Sequence, residues 1–123
     1  FRKYSFLTYY EQLPHEKVLE EMKKANVYIQ NSKFETFGLA IIEAILQGTS
    51  ILVSKDTGAL EVFNCLEDMD VIQNSYDVKE ISEKLWKCLQ NGNAKRLYDS
   101  IQFEEIDVTR TGVKLLEKLS ILD

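Results

Sequence analysis

Glu43 is the residue of this chain whose setting most calls for a partner. It is the only charged side chain in the run Leu39–Gln47, which is otherwise almost entirely apolar. A buried carboxylate is costly unless hydrogen bonds compensate for its lost hydration, so either a protein group or a ligand should satisfy it. A carboxylate accepts two hydrogen bonds at once, which suits a vicinal diol such as that of a ribose. The alternative is that Glu43 marks an exposed stripe at the rim of its helix.

A second group with chemical potential lies just before this helix. Residues 35–39 read Glu-Thr-Phe-Gly-Leu and connect a predicted strand to the predicted helix, where free main-chain amides and the helix dipole favour an anion. Gly38 would let the backbone approach a phosphate closely. Ser32 and Glu35 could equally form a capping box that serves only the helix. One glycine in such a loop therefore does not decide between a ligand site and a helix start.

The two features together are more specific. Residues 32–48 resemble the donor-site motif of retaining, family 4-type glycosyltransferases, which have the two-domain GT-B fold. That motif has two glutamates separated by seven residues, with Phe-Gly-Leu after the first and Glu-Ala before a glycine after the second. This sequence matches each of those positions. The similarity continues over residues 4–19 before the motif and residues 51–63 after it.

The resemblance implies a role for each matched residue. Glu43 would bind the ribose hydroxyls of a nucleotide diphosphate sugar, Glu35 would position the donor sugar, and the amides of Phe37, Gly38 and Leu39 would face the phosphates. Family members move the sugar to an acceptor, saccharide or lipid-linked, with retention at the anomeric carbon. They need no bound metal or other cofactor for this chemistry. Neither the base, the sugar nor the acceptor can be inferred from these residues.

Gly58 resembles the small-residue turn that approaches the donor sugar in the family, although a simple helix-start turn explains it equally well. The chain also departs from the family pattern. The basic pair that usually grips the diphosphate is not found in this domain part, and a glycine expected before the fourth strand is missing from residues 67–72. We therefore interpret residues 1–123 as a partial C-terminal nucleotide-sugar-binding domain, inactive by itself, without the N-terminal acceptor domain and the start of the donor domain. The competing hypothesis is a non-catalytic α/β nucleotide-binding or scaffolding module.

Three further features are interpreted as structural. Asp68 and Asp70 have the Asp-x-Asp spacing that suits a hard cation, but they lead directly into a predicted strand, so we expect a solvent-exposed turn and no metal site. His15 is the sole histidine and lies beside Pro14 at a predicted helix start, without a cysteine or histidine at ligand spacing. We interpret it as a surface residue. Trp86 and the tyrosines fall mostly at core-compatible spacing.

An alternation of short strands and helices must position these residues. Strands are predicted at four places by β-branched and aromatic runs: Tyr4–Tyr10, Asn26–Asn31, Ser50–Ser54 and Met69–Gln73. Helices are predicted after Pro14, over Leu39–Gln47 with Gly48 at the C-cap, from Asp77 to Gln90, over Leu97–Phe103 and over Val108–Leu119. This order predicts an α/β fold, a parallel four-stranded sheet with helices on both faces, and hence the Rossmann-like half of a GT-B fold. In such sheets, ligands bind beyond the carboxyl ends of the strands.

The composition limits the partners. A chain of 123 residues with 45% hydrophobic and 28% charged residues fits one globular domain. The formal charge of −5, with both signs interspersed, argues against binding to nucleic acid or to an anionic membrane surface. Two cysteines, Cys65 and Cys88, are too few for a disulfide framework, and no apolar run is long enough to span a bilayer. The sequence therefore predicts reduced thiols in a cytoplasmic protein.

Overall fold

The computed structural model describes residues 4–33 and 38–102. In these ranges, three parallel strands form one sheet in the order β1, β2, β3, with bounds Val27–Gln30, Ser50–Ser54 and Val71–Ile72. The α-helices are α1 (His15–Lys24), α2 (Leu39–Leu46), α3 (Val78–Asn91) and α4 (Ala94–Asp99), and two short 3-10 helices cover Gly58–Val62 and Asp68–Asp70. This mixed α/β arrangement around a parallel sheet is consistent with a Rossmann-like fold and confirms the predicted fold class at that level.

Strand β2 is the centre of the sheet, and all five of its residues are buried. It pairs with β1 from Ser50 to Val53 and with β3 at Val53 and Ser54. Ile51 and Val53 belong to the main core cluster, which includes the apolar residues of α2. Leu52 is fully buried and points to the opposite face of the sheet, because side chains alternate along a strand. Helix α3 contacts all three strands, so helices cover both faces.

Helix α2 is buried along most of its length, as its apolar sequence predicts. Five consecutive residues, 41–45, are buried. The helix follows Gly38, whose φ of 82° is in the left-handed region, and the chain leaves it through Gly48, whose φ is 85°. Both are conformations that glycine adopts without the penalty of a Cβ. The predicted helix and its terminal glycine are confirmed.

Helix α3 begins where the sequence predicts it. The Asp77 carboxylate accepts a hydrogen bond of 3.1 Å from the amide of Glu80, which is an N-cap contact. Helix α4 covers Ala94–Asp99, whereas the sequence predicted a helix over Leu97–Phe103. It begins early because the amides of Asn93 and Ala94 both donate to the Ser50 hydroxyl, at 2.9 and 3.3 Å. It ends early because Ile101 forms an antiparallel bridge with Phe63.

The predicted strand at Tyr4–Tyr10 is wrong. This segment contains a turn closed by the Leu7 amide on the Tyr4 carbonyl at 3.1 Å, and all seven of its residues are exposed. Aromatic alternation predicts a strand only where a neighbouring strand can satisfy the backbone and a core can bury one face. The described sheet therefore has three strands and not four.

Strand β3 is also shorter than the predicted Met69–Gln73. The residues before it form a 3-10 turn, closed by the Glu67 amide donating to the Asp70 carboxylate at 2.8 Å. After it, the amides of Gln73 and Asn74 donate to the Glu80 carboxylate, at 2.7 and 2.9 Å, which diverts them from the ladder. The predicted helix Val108–Leu119 lies outside the described residues. Among the helices that are described, none is long and apolar enough to cross a membrane.

Candidate functional site

The loops at the carboxyl ends of the three strands are tied to one another. The Ser54 hydroxyl, at the end of β2, donates to the Ser32 carbonyl at 2.6 Å and accepts from the Ser32 amide at 3.1 Å. The Asn31 side-chain amide donates to the Ser75 carbonyl at 3.0 Å, across to the loop after β3. The segment that leads from β1 towards α2 is thus fixed to both neighbouring loops. This is the edge where open parallel sheets bind ligands.

Basic side chains lie at the same edge. Lys33 follows β1, and its Nζ is 4.9 Å from the centroid of the Tyr76 ring, a cation–π distance. Lys55 directly follows β2 and is exposed, while its amide donates to the Ile72 carbonyl at 3.0 Å. These are single lysines on different loops and not the basic pair of the glycosyltransferase motif. They nevertheless add positive charge at this edge of the sheet.

Helix α2 begins directly after a glycine in the left-handed conformation. Gly38 is buried with its positive φ, and its carbonyl accepts from the Ile41 amide at 3.1 Å, which begins the helix at Leu39. Amides in the first turn of a helix have no intrahelical acceptor, and the helix dipole adds partial positive charge there. Gly38 and Leu39 therefore lie where the sequence predicts them. Glu35 and Phe37 lie outside the described residues.

Glu43 is 3% exposed, so the hypothesis of an exposed stripe is wrong. Its Oε2 lies 3.1 Å from Nε2 of His15, the first residue of α1. His15 therefore supplies a polar contact that compensates in part for the lost hydration of this carboxylate. The contact involves one of the two carboxylate oxygens.

His15 is the functional candidate that sequence reasoning missed. Its side chain is 40% exposed, which agrees with a surface residue, but its ring reaches the buried Glu43. The spacing of the two residues carries no signal, because their contact depends on how α1 lies against α2. Their contact could have been predicted from residue type alone, because His15 is the only histidine of the chain and Glu43 is the only charged residue of an apolar helix.

Gly58 lies beside a cleft of about 530 Å³ beyond the end of β2, and it is the first residue of the 3-10 helix Gly58–Val62. The cleft is lined by Lys55, Asp56, Thr57, Gly58, Leu60, Glu61, Leu66 and Val71. Thr57 is buried, and its hydroxyl has no hydrogen-bond partner within residues 4–33 and 38–102. Because β1 and β2 are parallel neighbours, this turn and the start of α2 share one edge of the sheet. Gly58 is thus on the same side of the sheet as Gly38 and Leu39.

The two aspartates of the Asp-x-Asp spacing lie in different environments. Asp68 is exposed, as predicted, but Asp70 is 2% exposed, so the interpretation of the whole pair as a solvent-exposed turn is wrong. The Asp70 carboxylate accepts from the Arg96 guanidinium at 2.8 and 3.0 Å and from the Asn93 side-chain amide at 2.9 Å. Burial alone would raise the pKa of Asp70, but these hydrogen bonds outweigh it and hold the pKa below its usual range. The described residues contain no group of three or more side chains that could hold a metal ion.

The two cysteines are free thiols. Cys88 is buried in α3, and burial raises the pKa of its thiol. Cys65 is partly buried near Arg96, whose guanidinium donates to the Cys65 carbonyl at 2.6 Å. Neither cysteine lies at the carboxyl edge of the sheet. Cys88 is packed in the interior, as the sequence indicated.

Comparison with known proteins gives one match. The model of the family described as "Glycosyl transferases group 1" matches residues 7–101. No curated protein and no solved structure matches the chain. The matched range runs from the segment before α1 to the end of α4, and it contains every site residue that the sequence predicted. The chain therefore belongs to the group 1 glycosyl transferases, and its enzyme class is glycosyltransferase.

Proposed function

We propose that this chain is the donor-binding part of a retaining glycosyltransferase with the GT-B fold. Residues 1–123 would form part of the C-terminal domain and hold a nucleotide diphosphate sugar at the carboxyl edge of the sheet. The observation that carries the proposal is Glu43. It is a nearly fully buried carboxylate, five residues into a helix that follows a positive-φ glycine, within the range matched by the family.

Each part of the donor would contact a different kind of protein group. The Glu43 carboxylate accepts from the two ribose hydroxyls, because a carboxylate can accept two hydrogen bonds at once and a vicinal diol presents two donors. The diphosphate faces the amides of residues 37–39, where the helix dipole favours an anion. The turn at Gly58 approaches the sugar, and Glu35 positions it. No cofactor enters the reaction.

The reaction moves the sugar from the nucleotide to a saccharide or lipid-linked acceptor, with retention at the anomeric carbon. As the glycosidic bond to the diphosphate breaks, negative charge develops on the leaving phosphate. Preorganised amides and nearby cations stabilise such charge without reorganising at the moment of reaction. Lys33 and Lys55 contribute positive charge at this edge, although each is exposed and therefore screened. The 123 residues are inactive by themselves in this proposal, because the acceptor must be bound by another domain.

The first test is nucleotide binding by Glu43→Gln. We expect titration calorimetry with a nucleoside diphosphate to show binding weaker by about tenfold or more, since a hydrogen bond to a charged group contributes about 1.5–3 kcal/mol. Glu83→Gln is the matched control, because Glu83 is an exposed glutamate on α3. Unchanged affinity in Glu43→Gln, with both variants folded, would contradict the ribose assignment.

The second test separates sugar positioning from nucleotide binding. In the full-length enzyme, Glu35→Ala should lower the rate of transfer more than it lowers nucleotide affinity, because Glu35 is assigned to the sugar alone. The rate is measured as release of nucleoside diphosphate from the donor, and the affinity by titration. Equal losses in both would refute the assignment of Glu35 to the sugar.

One observation favours the second candidate, a non-catalytic nucleotide-binding or scaffolding module. The His15 contact at 3.1 Å gives Glu43 a protein partner, so burial of the carboxylate does not by itself demand a ligand. In that case, Glu43→Gln would lower stability and leave nucleotide affinity unchanged. The calorimetric titration above therefore decides between the two functions.

A further inference from the structure

We infer that the cleft beside Gly58 is a subsite for an uncharged sugar ring, and that the buried hydroxyl of Thr57 binds a hydroxyl group of that sugar. The inference rests on the proposed function, because it names the class of sugar that the donor carries. It assigns a binding role to the side chain that directly precedes the turn glycine.

The Thr57 hydroxyl is the first observation. The residue is 3% exposed, and its Oγ1 has no hydrogen-bond partner among residues 4–33 and 38–102. Its main-chain groups are both paired: the amide donates to the Ser54 carbonyl at 3.3 Å, and the carbonyl accepts from the Leu60 amide at 3.2 Å. A buried hydroxyl without a partner costs the full desolvation of the group, so an unpaired one in a native structure requires an explanation.

The position of Thr57 makes the missing partner more informative. Thr57 is the N-cap residue of the 3-10 helix Gly58–Val62, and threonine is favoured at N-caps because its hydroxyl accepts from an amide of the first turn. Here, however, the side chain makes no cap hydrogen bond. Thr57 is also one of the residues that line the cleft of about 530 Å³. The hydroxyl therefore lies in the wall of the cleft and is not used by its own helix.

A ligand can pair with this hydroxyl after one local change. The oxygen is covered in the free chain, so the Thr57 side chain turns about its Cα–Cβ bond, from one staggered state to another, when the sugar enters. A threonine hydroxyl donates one hydrogen bond and accepts two, and a sugar hydroxyl has the same capacity, so the two groups can pair in either direction. The new bond regains the free energy that is lost while the hydroxyl is unpaired.

The other groups of the cleft indicate the class of sugar. Asp56 and Glu61 bring two carboxylates to the lining, against the single ammonium of Lys55. This balance disfavours a further anion such as the carboxylate of a uronic acid, because like charges repel. Leu60 and Leu66 add apolar surface. A neutral sugar ring, with hydroxyls at its edge and C–H groups on its faces, can contact both kinds of group.

The experiment compares a nucleoside diphosphate with its sugar esters. Uridine, guanosine and adenosine diphosphates are titrated into the chain, and the tightest binder is carried forward with its glucose or mannose ester, whichever binds more tightly, and with the matching uronic acid ester. We expect the unaltered chain to bind the neutral ester about fivefold more tightly than the uronic acid ester at low salt.

Thr57→Val should weaken binding of the neutral sugar ester by about three- to tenfold, because it removes one hydrogen bond to the sugar. Affinity for the nucleoside diphosphate should change by less than about twofold, since that ligand has no sugar in the cleft. Thr57→Ser should bind like the unaltered chain, because it keeps the hydroxyl.

Stability separates a binding role from a structural one. Thr57→Val nearly keeps the shape of the side chain and removes an unpaired hydroxyl, so its melting temperature should equal or exceed that of the unaltered chain. Thr49→Val is the matched control, because Thr49 is 1% exposed and its hydroxyl donates to the Met22 carbonyl. This variant should lower the melting temperature and leave the affinity for both ligands unchanged.

Glu61→Gln tests the charge of the cleft. It removes one of the two carboxylates, so the discrimination against the uronic acid ester should decrease by about twofold or more. Glu83→Gln is the control, because Glu83 is exposed on α3 and does not line the cleft. Equal discrimination in the two variants would overturn the assignment of the sugar class.

The outcomes separate this inference from the proposed function. If Glu43→Gln weakens diphosphate binding but Thr57→Val weakens both ligands equally, or weakens neither, the sugar subsite is overturned and the proposed function stands. A lower melting temperature in Thr57→Val without a sugar-specific loss also overturns the subsite. Equal or tighter binding of the uronic acid ester by the unaltered chain overturns the class of sugar. If no diphosphate binds the unaltered chain, or Glu43→Gln binds as before, the proposed function is overturned, and this inference with it.

Discussion

At the scale of single residues, Asp70 and Asp68 form a natural matched pair. Both are aspartates, and they lie two positions apart. Asp70 is buried against Arg96, while the Asp68 side chain is 75% exposed and its nearest charge is the Lys84 ammonium at 3.7 Å. Removing one partner of a buried, hydrogen-bonded ion pair costs far more than removing an exposed charge, because the remaining charge is left uncompensated.

We therefore predict that Asp70→Asn lowers the free energy of unfolding by about 3 kcal/mol, because it leaves the partly buried Arg96 guanidinium with only the exposed Glu67 carboxylate, at 3.4 Å. Asp68→Asn should change it by less than about 0.5 kcal/mol. Urea unfolding of the two variants checks the difference. Equal losses would contradict the structural role of Asp70, and added Mg²⁺ or Mn²⁺ should stabilise neither variant nor the parent chain, because Asp70 is occupied by protein donors.

What the sequence could and could not predict at this scale follows from distance along the chain. Glu43 was identified because a single charge stands out within one helix. Its partner His15 and the partner of Asp70 were not identified, because each contact joins segments more than 25 residues apart, as with the 26 residues between Asp70 and Arg96. Such pairs depend on which helix faces which strand. Residue patterns within a window do not carry that information.

At the scale of elements, the link between β2 and the segment after β1 is the contact that shapes the site. We predict that Ser54→Ala speeds hydrogen exchange at the Ser32 amide by more than about tenfold, since this variant removes its acceptor and an unmade buried bond costs about 1–3 kcal/mol. Ser32→Ala is the control, because Ser32 contributes only its main chain to this pair. Unaltered exchange in Ser54→Ala would show that the segment is held by other contacts.

Two glycines test how helix ends are set. Gly48 and Gly92 both have positive φ, 85° and 67°, but a Cβ at Gly48 would meet open space while one at Gly92 would lie 3.2 Å from the Ser50 hydroxyl oxygen. Gly48→Ala should cost about 1 kcal/mol from backbone strain alone. Gly92→Ala should cost more, because strain and crowding add. Thermal unfolding of both variants measures the order, and a larger loss at Gly48 would contradict it.

Predictability at this scale depends on whether an element is stabilised by local or distant contacts. Strand Ser50–Ser54 and the start of α3 were predicted with the right bounds, because the strand is apolar throughout and the Asp77 cap is a local signal. The segment Tyr4–Tyr10 has equally strong strand composition, yet no strand within residues 4–33 and 38–102 pairs with it, and it forms none. Helix α4 was displaced because the Ser50 hydroxyl anchors its first turn, which is a contact 44 residues away.

At the scale of the whole molecule, the stabilising network and the candidate site lie at opposite edges of the sheet. Asp70 and Ser50 precede or begin their strands, and with Asn93 they join the amino ends of β2 and β3. The start of α2 and the turn at Gly58 follow the carboxyl ends. Substitutions at the amino ends of the strands should therefore change stability without changing nucleotide affinity. Asp70→Asn is thus a control that shows how a loss of stability alone affects the binding experiments.

Acid sensitivity is a property of the whole fold, because it sums over carboxylates that are held ionised by native contacts. Hydrogen bonds from the Lys84 ammonium and from the amides of Gln73 and Asn74 lower the pKa of Glu80 from 4.5 to about 2. The pKa of Asp70 is also held below its usual 3.8, because hydrogen bonds led by Arg96 outweigh the effect of burial. In the unfolded chain both groups take up protons at their ordinary pKa, so the unfolded state binds more protons as the pH falls.

We therefore predict that the free energy of unfolding is steady between a pH of about 4.5 and neutral pH and decreases as the pH falls from about 4.5 to about 2, the window between the unfolded and folded pKa values of Glu80. Urea unfolding at a series of pH values measures the slope. Glu80→Gln should make the slope shallower, because a group that no longer titrates cannot contribute to it, and Glu83→Gln, an exposed neighbour on α3, should leave it unchanged. A flat profile through this window, or the same slope with and without Glu80, would mean that the contacts joining α3 to the end of β3 do not hold this carboxylate ionised.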